Sequence, residues 1–163
     1  MHLGKTTWIA ISGVVWFIVG IGLLTLGLNF ICFKAQMEPH ETTSLIAKIT
    51  PLSGGREQAA LALIIAGLIL GFIKGRFILV KTVRRVVERI LSLDVPVKFS
   101  AVYSKGYLGL IGGMILLGMS MKWIGLPAEV RGLIDIAIGS ALMNGATAYF
   151  RIAFTYNRQL KKP

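Results

Sequence analysis

The chain has 163 residues, 55% of them hydrophobic and only 15% charged, with a mean hydropathy of +0.73. Soluble domains carry roughly 25% charged residues, and a single domain of this length could not hide so much apolar surface from water. A net charge of +11 would suggest nucleic-acid binding in a soluble protein; beside long apolar runs it reads as charge facing anionic lipid, and no nucleic acid is expected.

The first apolar run, 8–33, is uncharged over 26 residues, more than the roughly 20 needed to cross a bilayer. It is too long for the apolar core of a signal peptide, and no small-residue cleavage pattern follows, so this helix is expected to remain. Cys32 is the only cysteine and has no internal partner for a disulfide. Residues 34–57 read as an outer loop. Its short amphipathic run of Leu45, Ile46, Ile49 and Leu52 is suited to the outer interface, and Pro51 with Ser53, Gly54 and Gly55 turns the chain into the next helix.

The second span is placed at 58–76. The 16 uncharged residues between Glu57 and Lys74 give about 24 Å of helix, and Lys74 and Arg76 lengthen it by snorkelling. Residues 77–93 follow as an amphipathic helix on the cytoplasmic side. Lys81, Arg84, Arg85 and Glu88 share one face with Arg89 at its edge, while Leu79, Val83, Val86, Val87, Ile90 and Leu93 share the other. An interfacial anchor that continues the second helix, with Gly75 as a bend and its basic face toward headgroups, is the first reading; a docking helix for a partner or a specific anionic lipid is the second. Pro96 ends the helix. A third span is placed at 104–123. A fourth, 129–152, follows Pro127, a good first-turn proline. The expected fold is an all-α integral membrane protein, a single domain over 1–163, with four transmembrane helices in two hairpins plus one interfacial helix. The hairpins form a candidate duplication. Gly22, Leu26 and Gly27 align with Gly113, Leu117 and Gly118; Glu57, Leu61, Ile64 and Gly67 align with Glu129, Leu133, Ile136 and Gly139.

Four crossings put both termini on one side, with the segment between the second and third helices. That side carries thirteen Lys and Arg, against five in the two outer loops. The positive-inside rule makes it cytoplasmic. Trp8, Tyr103, Tyr107, Tyr149 and Tyr156 fall at inner ends and Trp123 at an outer end, as an aromatic belt would have them.

Gly67, Gly71 and Gly75 recur every four residues and share a helix face. Gly109 and Gly113 repeat the spacing on the third helix, and Gly13, Gly20 and Gly27 are spaced by seven on the first. Such stripes let backbones approach; packing within the bundle is favoured over oligomerisation. The last helix carries Ser140, Asn144, Thr147 and Arg151 along one stripe. Interhelical hydrogen bonding is favoured for it over a polar permeation path ending at Arg151. His2 and His40 are terminal or in a loop, so no haem or metal site is expected. No Walker A sequence, nucleophile elbow or HExxH occurs, so neither a catalytic residue nor a cofactor is expected.

Four stretches carry a resemblance: 16–27, the run Lys74-Gly75-Arg76-Phe77-Ile78-Leu79 followed by Arg84-Arg85, 114–118, and the Ile138-Gly139 step. In these the chain resembles a group of small, uncharacterised bacterial membrane proteins. The resemblance implies a bacterial inner membrane and a hairpin, amphipathic segment, hairpin layout; it brings no activity and no site, and the long outer loop departs from the group. The expectation is therefore a non-enzymatic scaffold or accessory subunit. It would act through helix contacts and through anionic inner-leaflet lipid at Lys74, Arg76, Lys81, Arg84, Arg85 and Arg89. A second copy or another membrane protein is the further partner considered. A small oligomeric transporter or channel subunit is the alternative.

Overall fold

In the computed structural model, residues 4–34, 44–92, 113, 116, 120, 121 and 123–160 are described, and every regular element among them is helical. Helix α1, Lys5–Asn29, takes up most of the first apolar run and ends in a π-helical turn, Phe30–Lys34. Helix α2, Leu45–Ser53, begins at Ser44, whose hydroxyl accepts from the Ala47 amide at 3.2 Å. It ends at Gly54, whose φ of 85° is the left-handed conformation that a side chain rarely adopts. Helix α3, Arg56–Lys74, passes through a second π turn, Gly75–Leu79, into α4, Val80–Ser92. Helix α5 runs from Ala128 to Leu160 over 33 residues.

Three helical stretches are long and apolar enough to cross a membrane: Lys5–Phe33, Arg56–Ser92 and Ala128–Arg158. The segments read as 58–76 and 77–93 form one continuous rod of 37 residues, about 55 Å long. The last helix runs on past 152, because its polar tail keeps helical spacing with Tyr149 and Ala153 buried. Most of the span placed at 104–123 lies outside the described residues, and Gly109, Lys98 and Lys105 with it.

Helix α5 is the centre of the bundle, and α1 and α3 lie on two of its flanks. Gly13 abuts Tyr149 and Phe150, Gly20 abuts Gly139 and Met143, and Gly27 abuts Gly132 and Ile136, so α1 runs antiparallel to α5. Gly67 abuts Leu133 and Ile136, Gly71 abuts Ala137 and Ser140, and Gly75 abuts Ala141 and Asn144, so α3 runs parallel to it. Lys5, Ser92 and Leu160 therefore share one end of the bundle, the basic end. There Lys5 Nζ donates to the Leu91 carbonyl at 2.7 Å. Asn29, Arg56 and Ala128 lie toward the other.

The π turn at Gly75–Leu79 makes the rod usable on both halves. A regular helix advances about 100° per residue, so a single extra residue turns everything beyond it by that amount. Gly67, Gly71 and Gly75 meet α5 before the turn; Val83, Val87 and Ile90 return to the same side after it and are buried. They pack with Trp8, Ile9, Tyr149 and Ala153 into one apolar cluster. Trp16 stands edge-on to Tyr149 with ring centroids 5.5 Å apart. Trp8 and Tyr149, expected in an interfacial belt, are only 8% and 0% exposed. Their rings cover the apolar face of α4, which is where the sequence placed lipid. A second cluster at the other end joins Ile31, Ile46, Ala59, Ala60, Leu63, Ala128 and Ile136.

Candidate functional site

The described residues offer three surfaces where chemistry could occur. The first is the basic face of α4. Lys81, Arg84, Arg85 and Arg89 are exposed, as is Glu88, while Val83, Val87 and Ile90 beneath them are buried. The apolar half of this amphipathic helix is thus used by the protein itself, and the cations are held outward at the basic end. Arg151 and Arg158 are exposed on α5 near the same end, with the Arg158 guanidinium 4.5 Å from the Phe154 ring centroid.

The second surface is a groove of about 260 Å³ between α1 and α3, floored by α5. Ser140, Asn144 and Thr147 line it together with Phe17, Leu24, Leu68, Met143 and Phe150. Their hydrogen bonds go largely to helix backbone. Ser140 Oγ donates to the Leu68 carbonyl across the α3–α5 contact at 3.1 Å. Asn144 Nδ2 donates to the Ser140 carbonyl at 3.2 Å, and Thr147 Oγ1 to the Met143 carbonyl at 2.7 Å. Three of the four stripe residues are brought together; Arg151 stands one turn beyond the groove.

The third surface is a larger groove of about 410 Å³ on the opposite side of α3, between it and α5. Apolar side chains line it, with Lys74 the single charged residue among the described ones. Lys74 and Arg76 are both exposed, and no ion pair or hydrogen bond joins either to another described residue. They lie far from the basic end. Gly75 meets the stretch of α5 that Gly20 meets from the other side. Eight residues separate Arg76 from Arg84, or about 12 Å of helix. Around the level of Gly20 the outer face of α1 is lined by exposed Phe17, Ile18, Val19 and Ile21, so the two cations stand within an apolar belt.

The packing glycines divide clearly. A Cβ on Gly71 would collide with the Ala137 carbonyl oxygen, and one on Gly75 would come within 2.9 Å of the Ala141 oxygen. Gly113 has nothing within 4 Å of an added Cβ. Sequence reasoning passed over the matching stripe on α5. Gly132 and Gly139 face the Gly27 and Gly20 carbonyl oxygens, each at 2.8 Å from an added Cβ. Their spacing of seven equals that of Gly20 and Gly27, a signal the sequence does carry.

Glu129 was also passed over. It is 2% exposed, and its carboxylate accepts from the Ile46 amide at 3.0 Å and from the Ser44 hydroxyl. It thereby caps α2 from 83 residues away in the chain and draws Ile46 into the second cluster. The outer-loop run is docked on the bundle through Ile46, while Leu52 is 89% exposed. Glu57, its partner in the candidate duplication, is exposed. Among the described residues no three His, Cys, Asp or Glu side chains gather to hold a metal ion. Compared with protein-family models, curated proteins and solved structures, the chain matches none.

Proposed function

We propose that this chain is a non-enzymatic membrane scaffold or accessory subunit of a bacterial inner membrane. It would hold a rigid basic face at the cytoplasmic surface for anionic headgroups or for an acidic face of a membrane partner. The observation that carries the reading is the division of α4. Its valines and isoleucine are consumed by packing against α1 and α5, so Lys81, Arg84, Arg85 and Arg89 are exposed at a fixed height. Each such residue near an anionic surface contributes about 1 kcal/mol. The close glycine contacts of α5 with both neighbours support a scaffold rather than a moving part, since each packed backbone resists displacement.

The orientation belongs to the same proposal, with both termini cytoplasmic and four crossings. Because α3 and α5 run parallel, Ser92 and Ala128 stand at opposite ends of the bundle. The chain between them has to return across the membrane, and the apolar run within 104–123 is what the sequence supplies for it.

Native mass spectrometry of the full chain released from its own membrane tests the reading. A chain that retains phosphatidylglycerol or cardiolipin, or a second protein, through Arg84, Arg85 and Arg89 supports it. Release of both at low ionic strength with those arginines intact would sink it. A second reading, a small oligomeric transporter subunit, draws on the groove at Asn144. Solute flux in liposomes that is lost in Asn144→Leu would favour it.

A further inference from the structure

Lys74 and Arg76 are not explained by the basic face of α4. They stand about 12 Å farther from the basic end than Arg84, among exposed apolar side chains, and no described residue neutralises them. A charge inside the hydrocarbon is costly, and such residues pair with an opposite charge or reach for the interface. Reaching is awkward for Lys74. Side chains of a helix lean toward its N-terminus, and the N-terminus of α3 is at the end away from the basic one. The groove beside Lys74 has the complementary chemistry. Leu70, Ile78, Ile134, Ala137 and Ile138 line it, so it is an apolar trough about 410 Å³ in volume with one ammonium on its wall. The π turn begins one residue after Lys74 and carries Ile78 and Leu79 into the lining, and π turns inside α-helices frequently mark functional sites.

We infer that this groove binds one phospholipid with an anionic headgroup, an acyl chain lying against Ile134 and Ile138 and the phosphate drawn to Lys74 and Arg76. The inference rests on the proposal that the basic end faces an anionic leaflet, and it adds a defined site and stoichiometry. The anionic headgroup neutralises two cations that no described residue pairs with, and the acyl chain replaces bulk lipid in a preformed trough, so the site selects one lipid from many. The exposed arginines of α4 act differently, since they hold headgroups by charge alone.

The test titrates the full chain in detergent with phosphatidylglycerol or with phosphatidylcholine of identical acyl chains, and native mass spectrometry counts the lipids retained. The wild-type chain is expected to hold one phosphatidylglycerol in preference to phosphatidylcholine. Lys74→Gln with Arg76→Gln should lower that preference about thirtyfold, at roughly fivefold per cation. Lys74→Arg should keep it, and Ile134→Trp should remove retention of both lipids by filling the trough. Circular dichroism identifies any variant that has lost its helices, and Lys74→Arg keeps the test decisive if the double variant does not fold. Retention that survives Lys74→Gln with Arg76→Gln but falls in Arg84→Gln with Arg85→Gln and Arg89→Gln overturns the groove site and leaves the scaffold proposal standing. A wild-type chain with no headgroup preference overturns the groove site and, with it, the headgroup reading of the basic face.

Discussion

Between α5 and its neighbours, the absence of single Cβ atoms sets the interaxial distance. Gly27 and Gly132 face each other backbone to backbone, as do Gly20 and Gly139, and Gly71 sits against the Ala137 carbonyl. Lipid tails are as apolar as leucine, so helices in a membrane gain little from hydrophobic burial against one another. Close approach and dispersion supply the association instead. Gly71→Leu should therefore separate α3 from α5 and also break the Ser140 to Leu68 hydrogen bond. The cost of overpacking is about 1–3 kcal/mol, read as a lower midpoint in reversible denaturation in mixed micelles. Gly22→Leu is the control, since an added Cβ there meets nothing within 4 Å, and its midpoint should move by less than about 0.5 kcal/mol. Equal effects in both variants would show that the glycine contacts do not hold the bundle.

The same residues show what a sequence discloses at this scale. Gly67, Gly71 and Gly75 declare a shared face by spacing alone, because four residues is close to one helical turn. Their partners are not declared: Ala137, Ser140 and Ala141 are ordinary small residues in a low-complexity helix. Glu129 is the extreme case. In sequence it is an acid near a helix start, where the dipole already accounts for it. Its service to the Ser44 hydroxyl and the Ile46 amide depends on a fold that brings together residues 85 and 83 positions apart in the chain.

Among the elements, the apolar spans at either end were legible because length and lack of charge suffice to recognise them. That α4 continues α3 was a reading the sequence allowed, with Gly75 as a bend; the π turn that sets the phase of α4 was not legible. A π turn inserts one residue without changing composition, and only the faces buried on either side reveal it. Gly67, Gly71 and Gly75 before the turn and Val83, Val87 and Ile90 after it give that information together. Deleting Ile78 should restore a regular helix and leave α4 in its present phase, because the π turn absorbs the one residue removed. The valines would stay in the cluster with Trp8 and Tyr149, and hydrogen exchange should show the amides of Val80–Ser92 keeping their protection. Inserting one alanine after Val80 instead should rotate the rest of α4 by about 100° and lower that protection, while the amides of Arg56–Lys74 keep theirs. Loss of protection on deleting Ile78 would mean that the π turn does not set the phase of α4.

For the whole molecule, the parallel course of α3 and α5 sets the topology. Three of the described stretches are each long and apolar enough to cross, and an odd number alone would leave the termini on opposite sides. Yet Lys5 and the C-terminal turns of α5 lie at the same end, where Lys5 bonds to Leu91 and Tyr149 packs beside Trp8 and Val87. In the proposed topology one more crossing joins Ser92 to Ala128, and eleven basic residues then share a side, with Lys74 and Arg76 standing deeper. The consequence can be read with single cysteines in a Cys32→Ser background. In intact cells an impermeant maleimide should label Ile124→Cys, at the Ala128 end, and spare Ser92→Cys and Thr155→Cys until the membrane is opened. Labelling of Ser92→Cys and Ile124→Cys from the same side would remove the fourth crossing. Labelling of Thr155→Cys from outside would invert the molecule. In that case the basic face of α4 would be turned away from the anionic leaflet, and the lipid site at Lys74 would lose its source of headgroups.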